Sequence, residues 1–196
     1  MSSDVPFSFS PESLERARVI LARYPEGRQA SGVIPLLDLA QRQNDGWLSR
    51  PAMDAVAEFL EMAPILVYEV ASLFTMFNLQ PVGEHHVQVC TNLPCWLRGS
   101  DQVVEGCRKS LGIDIGETTA DGKFTLSEVE CAGACVNAPV AQIGDHYYED
   151  LDADGIATVL EALKRGETPS HGSQTGRQTS APAGGPTTLK TATGEA

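Results

Sequence analysis

Four of the five cysteines fall into two pairs. Cys90 and Cys95 form C-x4-C in VCTNLPC, Cys131 and Cys135 form C-x3-C in ECAGAC, and 35 residues separate the pairs. Thiolates are soft ligands, and four of them complete a [2Fe–2S] cluster in which each iron is tetrahedral with two cysteines and two bridging sulfides. Two ferric ions, two sulfides and four thiolates leave a formal dianion, and one added electron makes a trianion. Such charge inside a protein must be balanced by backbone N–H groups and helix N-termini. Gly99 beyond the first pair and Gly133 inside the second are the places where backbone can approach sulfur. Zinc competes for the same ligands: both spacings are allowed for structural zinc, although neither pair is a tight C-x2-C knuckle. A thioredoxin-type redox pair needs C-x-x-C, which is absent. A Rieske centre needs two His ligands, and no His stands within two residues of these cysteines. The spacing favours iron–sulfur and leaves zinc and unliganded thiols open.

The remaining chemistry-bearing residues have plainer readings. Cys107 lies on the apolar face of an expected helix, where a free cysteine packs as a small hydrophobe. His85 and His86 read as surface residues ahead of the first strand, and Tyr147 and Tyr148 as strand aromatics. Trp96 reads as a shield or partner contact beside Cys95, or equally as core. The run Glu149-Asp150-Leu151-Asp152 reads as a solvated acidic turn. There is no G-x-G-x-x-G, no Walker loop and no Ser/His/Asp or Cys/His arrangement, so the chain shows no nucleotide site and no catalytic residue of its own.

The elements that must position the thiols follow from punctuation and periodicity. Ser10-Pro11 opens a helix whose apolar residues are Leu14, Ala17, Val19, Ile20 and Leu21. A second helix, about 34–44, carries Leu36, Leu37, Leu39 and Ala40 and ends at Asp45-Gly46. Ser49 caps a third with Met53, Val56, Phe59 and Leu60, and Pro64 opens a fourth with Leu66, Val67, Val70 and Phe74. Four short helices with brief connections predict a bundle. The pattern changes at Pro81-Val82-Gly83. Strands are expected at 87–90, 124–129 and 139–143, with Gly144-Asp145 turning into His146-Tyr147-Tyr148. A helix is expected over 101–111, with Val103, Val104, Cys107 and Leu111 on one face. Asp152 caps a last helix that turns Ile156, Val159, Leu160 and Leu163 inward.

The composition sets the outer bounds. The chain has 196 residues, 42% of them hydrophobic, and a net charge of −12. That suits a globular domain with an appendage and argues against nucleic acid, which needs a basic footprint, and against an anionic membrane surface. The most apolar stretch, 59–79, is broken by Glu61, Pro64 and Glu69, so no membrane insertion is expected. The N-terminus lacks a basic region followed by an apolar core, and Asp4, Glu12 and Glu15 argue against a mitochondrial presequence. Without a secretory signal the expected compartment is reducing, where paired cysteines are more often ligands than disulfides. In residues 166–196, 19 of 31 are Gly, Pro, Ser or Thr, and Leu189 is the sole large aliphatic residue. Such a segment reads as a solvated tail or a strap that orders on a partner subunit.

The segments VQVCTNLPCWLRGS (87–100) and FTLSEVECAGACVNAPVAQI (124–143), with YYEDL (147–151) and the helical N-terminal region, resemble the thioredoxin-like [2Fe–2S] subunit of respiratory NADH–quinone oxidoreductase, complex I. The C-x4-C, C-x3-C and NAP elements occur together, and the resemblance covers about residues 10–165. It implies an α/β chain with an N-terminal helical bundle (1–80) and a thioredoxin-like [2Fe–2S] ferredoxin domain (81–165). The disordered or strap-like low-complexity tail (166–196) lies outside the shared region. It implies that Cys90, Cys95, Cys131 and Cys135 ligate one [2Fe–2S] cluster. It also implies docking on the larger subunit that binds NADH and FMN, whose reduced flavin exchanges electrons with the cluster. Other peripheral-arm subunits would meet the tail. In that family the cluster stands beside the main wire to quinone, with electron buffering, limiting flavin oxidation by oxygen, or structural support as its role. The implied location is the cytoplasmic face of a bacterial inner membrane, with the mitochondrial matrix side as the alternative. Related subunits serve NAD-linked formate dehydrogenases and NAD-reducing hydrogenases, and the motif alone does not separate these parents. A structural zinc-binding adaptor is the alternative of another class.

Overall fold

The computed structural model describes residues 6–182 together with 184, 185 and 188. The chain divides into two compact units between Glu84 and His85, just after the Pro81-Val82-Gly83 break.

The first unit holds four helices: α1 (Pro11–Leu21), α2 (Val33–Gln43), α3 (Arg50–Phe59) and α4 (Pro64–Leu73). The Ser10 hydroxyl caps α1 by accepting from Ser13 N at 3.1 Å, and Ser49 caps α3 by accepting from Ala52 N at 3.3 Å. Each satisfies an N–H that the first helical turn leaves without a partner. Asp45 and Gly46 both take left-handed backbone, which ends α2. Leu36, Leu37, Leu48, Val56 and Val67 are fully buried in the shared core. The apolar faces read from the sequence are corrected in two helices. Val19 of α1 is exposed, as are Leu66 of α4 and Phe74 just beyond it. In α4 apolar residues occupy nearly every position, so periodicity has no contrast to work with; Val67 and Ala71, one turn apart, are the residues that turn inward.

The second unit is built on a sheet of β1 (His85–Cys90), β2 (Phe124–Val129), β3 (Ala141–Ile143), β4 (His146–Glu149) and β5 (Gly172–Ser173), in the order β2-β1-β3-β4-β5. Three helices accompany it: α5 (Leu93–Leu97), α6 (Ser100–Leu111) and α7 (Ala153–Lys164). The pairs β1–β2 and β4–β5 are parallel, and β1–β3 and β3–β4 antiparallel. A parallel pair needs a long crossover, which α6 supplies between β1 and β2. Val87, Val89, Phe124, Leu126, Ala141 and Ile143 pack on Val103, Val104, Ile156, Val159 and Leu160. Cys107 lies fully buried among them, as expected of a packed thiol. Gly106 lets α7 pass close to α6: a Cβ there would stand 2.9 Å from the Ala153 carbonyl oxygen. His85 and His86 are part of β1, not ahead of it, and His86 is half-buried with its Nε2 2.5 Å from Ser127 Oγ. Burial pushes its pKa down.

The tail departs furthest from its reading. Gly172–Ser173 pairs with Tyr148–Glu149, so residues of the low-complexity segment form the edge strand of their own unit. Its described part is a strap, but on this chain. The reading for 183, 186, 187 and 189–196 lies outside the described residues. Among the described residues, no helix is long and apolar enough to cross a membrane.

Candidate iron–sulfur site

The parallel pairing of β1 and β2 sets Cys90 opposite Val129, so the loops after both strands leave the sheet at the same end. Cys90 closes β1, its N–H donating to the Val140 carbonyl at 3.0 Å. The first loop then enters α5, a five-residue helix the sequence did not predict. Asn92 caps it, accepting from Leu93 N at 2.7 Å, while its Nδ2 donates to the Glu130 carbonyl at 2.7 Å. This one side chain stitches the first cysteine loop to the second. The Thr91 hydroxyl adds a bond to the Glu128 carboxylate.

The two pairs differ in exposure. Cys90 and Cys95 are buried, in a small cluster with Ala138 on which Val129 and Ala132 pack. Cys131 and Cys135 are exposed. Gly133, at φ +74, donates its N–H to Cys131 Sγ at 3.4 Å, the approach of backbone to sulfur expected of it. Gly99 does not fill that role. Its N–H bonds to the Trp96 carbonyl at 3.0 Å, and its φ of +94 turns the chain from α5 into α6.

Burial pushes the Cys95 thiol up to about 12, and a hydrogen bond with Cys90 and the neighbouring Cys90 and Cys135 sulfurs add to this. A backbone hydrogen bond from Val140 acts the other way. Cys95 and Cys90 thus share one buried cluster, while Cys131 accepts a hydrogen bond within its own loop. Among the described residues, no group of three or more His, Cys, Asp or Glu side chains is gathered at single-ion spacing. A dinuclear cluster asks for two thiolates at each iron, with sulfides spanning the pairs. Two converging loops, one buried pair and one N–H···S contact in the other fit that donor set.

Several residues that shape the site were not singled out for it by the sequence, although Asn137 belongs to the NAP element and Tyr147 to YYEDL. Tyr147 of β4 donates its Oη proton to the Ala132 carbonyl at 2.7 Å, anchoring the middle of the second loop. Asn137, in the short 3-10 turn Cys135–Asn137, is buried and donates to the Glu149 carboxylate at 2.5 Å. The acidic run 149–152 is no solvated turn. Asp150 takes a left-handed φ of +53 and forms a buried ion pair with Arg177, Leu151 is core, and Asp152 caps α7 by accepting from Gly155 N at 2.7 Å. Trp96 is surface, 59% exposed, and shares the rim of the site with exposed Leu93, Leu97 and Val136.

A mixed sheet with two helices packed together on one face, and two cysteine pairs on the loops that leave the carboxyl ends of its parallel strands, defines a thioredoxin-like α/β domain. The family described as thioredoxin-like [2Fe-2S] ferredoxin matches residues 17–164. The chain belongs to that family. This answers the choice between iron–sulfur and zinc that spacing left open. An NADH-quinone oxidoreductase subunit of Rickettsia conorii is 54% identical over 158 residues, 81% of this chain and 95% of that one. NADH dehydrogenase [ubiquinone] flavoprotein 2, mitochondrial, of Dictyostelium discoideum is 51% identical over 184 residues, 94% of this chain and 74% of that one. The second match leaves too few residues unmatched to exclude the tail, so the shared region does not stop at 165. Among solved structures, an NAD+-reducing [NiFe]-hydrogenase has a TM-score of 0.59 at 21% identity, covering 69% of this chain and 23% of that chain; that likeness is one of fold.

Proposed function

We propose that this chain is the electron-transfer subunit of an NADH–quinone oxidoreductase, complex I, with Cys90, Cys95, Cys131 and Cys135 as ligands of one [2Fe–2S] cluster. The observation that carries the ligand set is the convergence of the two cysteine loops at one end of the parallel β1–β2 pair, tied by Asn92 to the Glu130 carbonyl. The relatives named above support the parent complex. The cluster supplies a one-electron carrier. The chain's own residues hold it and keep water from one side: Cys90 and Cys95 line the buried wall, Gly133 N–H offers a hydrogen bond to sulfur, and Cys131 and Cys135 face outward.

The rim carries the partner reading. Leu93, Trp96, Leu97 and Val136 are each about 60% exposed or more around the outward-facing pair. Large apolar side chains left exposed on α5 and beside Cys135 are the kind of surface an interaction site uses, and they suit docking on the subunit that binds NADH and FMN. That partner supplies the nucleotide and flavin chemistry for which this chain has no motif. The assembled subunit would lie on the NADH-accessible side, the cytoplasmic face of a bacterial membrane or the mitochondrial matrix. The domain reading keeps a helical bundle followed by a ferredoxin domain, with the described strap counted with the latter, whose sheet it edges.

The test is anaerobic purification with iron, sulfide and zinc counted, and visible and EPR spectra recorded. Equal iron and sulfide, with an EPR signal that appears on reduction, is the expected result; zinc in a colourless protein overturns it. NADH should reduce the cluster only when the flavin subunit is added, and reduction of the isolated chain by NADH would overturn the division of labour.

A further inference from the structure

The strap brings a cation to the second cysteine loop. After β5 pairs with β4, Arg177 turns inward, its side chain 12% exposed against 5% for Asp150. Its Nη2 pairs with Asp150 Oδ1. Its Nη1 donates to the Val136 carbonyl at 3.2 Å and to Asn137 Oδ1 at 3.3 Å. Asn137 Nδ2 returns a bond to the Thr179 carbonyl at 2.9 Å. Ser173 Oγ donates to Asp150 Oδ2 at 2.7 Å and accepts from Arg177 N at 3.1 Å. The guanidinium thus stands between a buried carboxylate and the two residues that follow Cys135. The loop meets the guanidinium through Val136 and Asn137. It meets the acidic strand through Asp150 N, which donates to the Asn137 carbonyl at 2.7 Å, and through the Glu149 carboxylate, which accepts from Asn137 Nδ2 at 2.5 Å.

We propose that Arg177 is a positioning residue for the redox centre: it clamps the Cys135 loop through Val136 and Asn137 and sets the reduction potential by shielding the centre from the Asp150 carboxylate. This rests on the ligand set proposed above. Reduction adds one electron to a site that is already anionic, so an uncompensated buried carboxylate nearby opposes it. A buried charge left without its partner acts strongly because little water screens it.

The two halves of the pair therefore have opposite signs. In Arg177→Gln, Asp150 is uncompensated and the midpoint potential falls. In Asp150→Asn, Arg177 is uncompensated and the potential rises. Arg177→Lys keeps the charge and restores the potential toward wild type, though the lost fork leaves the loop looser and the cluster bleaches several-fold faster in air. A clamp with no electrostatic part would move both single variants the same way, because each loosens the same loop.

The experiment is a potentiometric titration followed by EPR on the full chain and these variants, with iron and sulfide counted in each. Opposite shifts in Arg177→Gln and Asp150→Asn, with recovery in Arg177→Lys, are expected. Shifts of one sign, or none, in variants that retain their cluster overturn the proposal. If Arg177→Gln does not fold, the direction of the Asp150→Asn shift decides. A wild-type chain without iron and sulfide overturns the ligand reading, and this inference with it.

Discussion

Tyr147 reaches from the sheet to the cysteine loop: its Oη lies 2.7 Å from the carbonyl oxygen of Ala132, the residue between Cys131 and Gly133. The loop is exposed at both cysteines, so this bond is one of few fixed points it has. Tyr147→Phe removes the donor and keeps the ring. The expected cost is about 1 kcal/mol of stability, with faster loss of cluster absorbance in air. Unchanged bleaching would show that the loop does not depend on this anchor.

The cysteines should separate cleanly by role. Cys131→Ser removes a thiolate from the proposed set and should lose most of the visible absorbance. Cys107→Ser should keep it, although a hydroxyl buried at that position without a partner costs about 1–3 kcal/mol. Iron analysis of both variants checks the assignment, and loss of the cluster in both would overturn it.

Cys107 also predicts a pH dependence. Burial pushes its thiol from 9.0 up to about 12. Below pH 9 folded and unfolded chains both keep the proton, and the contribution is fully present. As pH rises from 9 toward 12 the unfolded chain gives up the proton while the folded chain holds it, so stability falls, by at most about 4 kcal/mol over the window. Urea melts of wild type and Cys107→Ala across that range should show a flatter decline in the variant. Parallel declines would mean that the thiol ionises equally in both states.

Gly106 is a packing requirement between α6 and α7. A Cβ at that position would meet both the Ala153 carbonyl oxygen and Ile156 Cγ2 at 2.9 Å, and the first of these is backbone that cannot rotate away. Alanine gains roughly 1 kcal/mol in helix propensity, but overpacking costs about 1–3 kcal/mol. Gly106→Ala should lower the melting temperature by several degrees, and an unchanged or higher value would show that the helices separate at little cost.

These residues also mark how far the sequence could be read. Caps and breakers are local, so Ser10, Ser49, Pro64 and Asp152 announced their helices, and the two cysteine pairs announced the site. Alternation announced β1 and β2, whose parallel pairing closes that site. The five-residue α5 is too short for any periodicity. β5 has no apolar residue to alternate, and Arg177 finds Asp150 only through the fold, 27 residues back along the chain. In α4 the apolar residues were too many to show which of them turned inward. Local signals reveal elements, whereas the clamp on the Cys135 loop is made of long-range polar contacts that leave no local trace.

The parallel pairing of β1 with β2 has a consequence in time. The first thiol pair is complete at Cys95, yet its counterpart lies beyond the whole α6 crossover and the return strand. A chain emerging from the ribosome carries half a site for as long as it takes to synthesise and fold that crossover. The first two thiols are then exposed to stray metals and oxidants. On the ligand set proposed above, the four thiols stand together only after that crossover has folded, so a cluster would be loaded after the sheet forms.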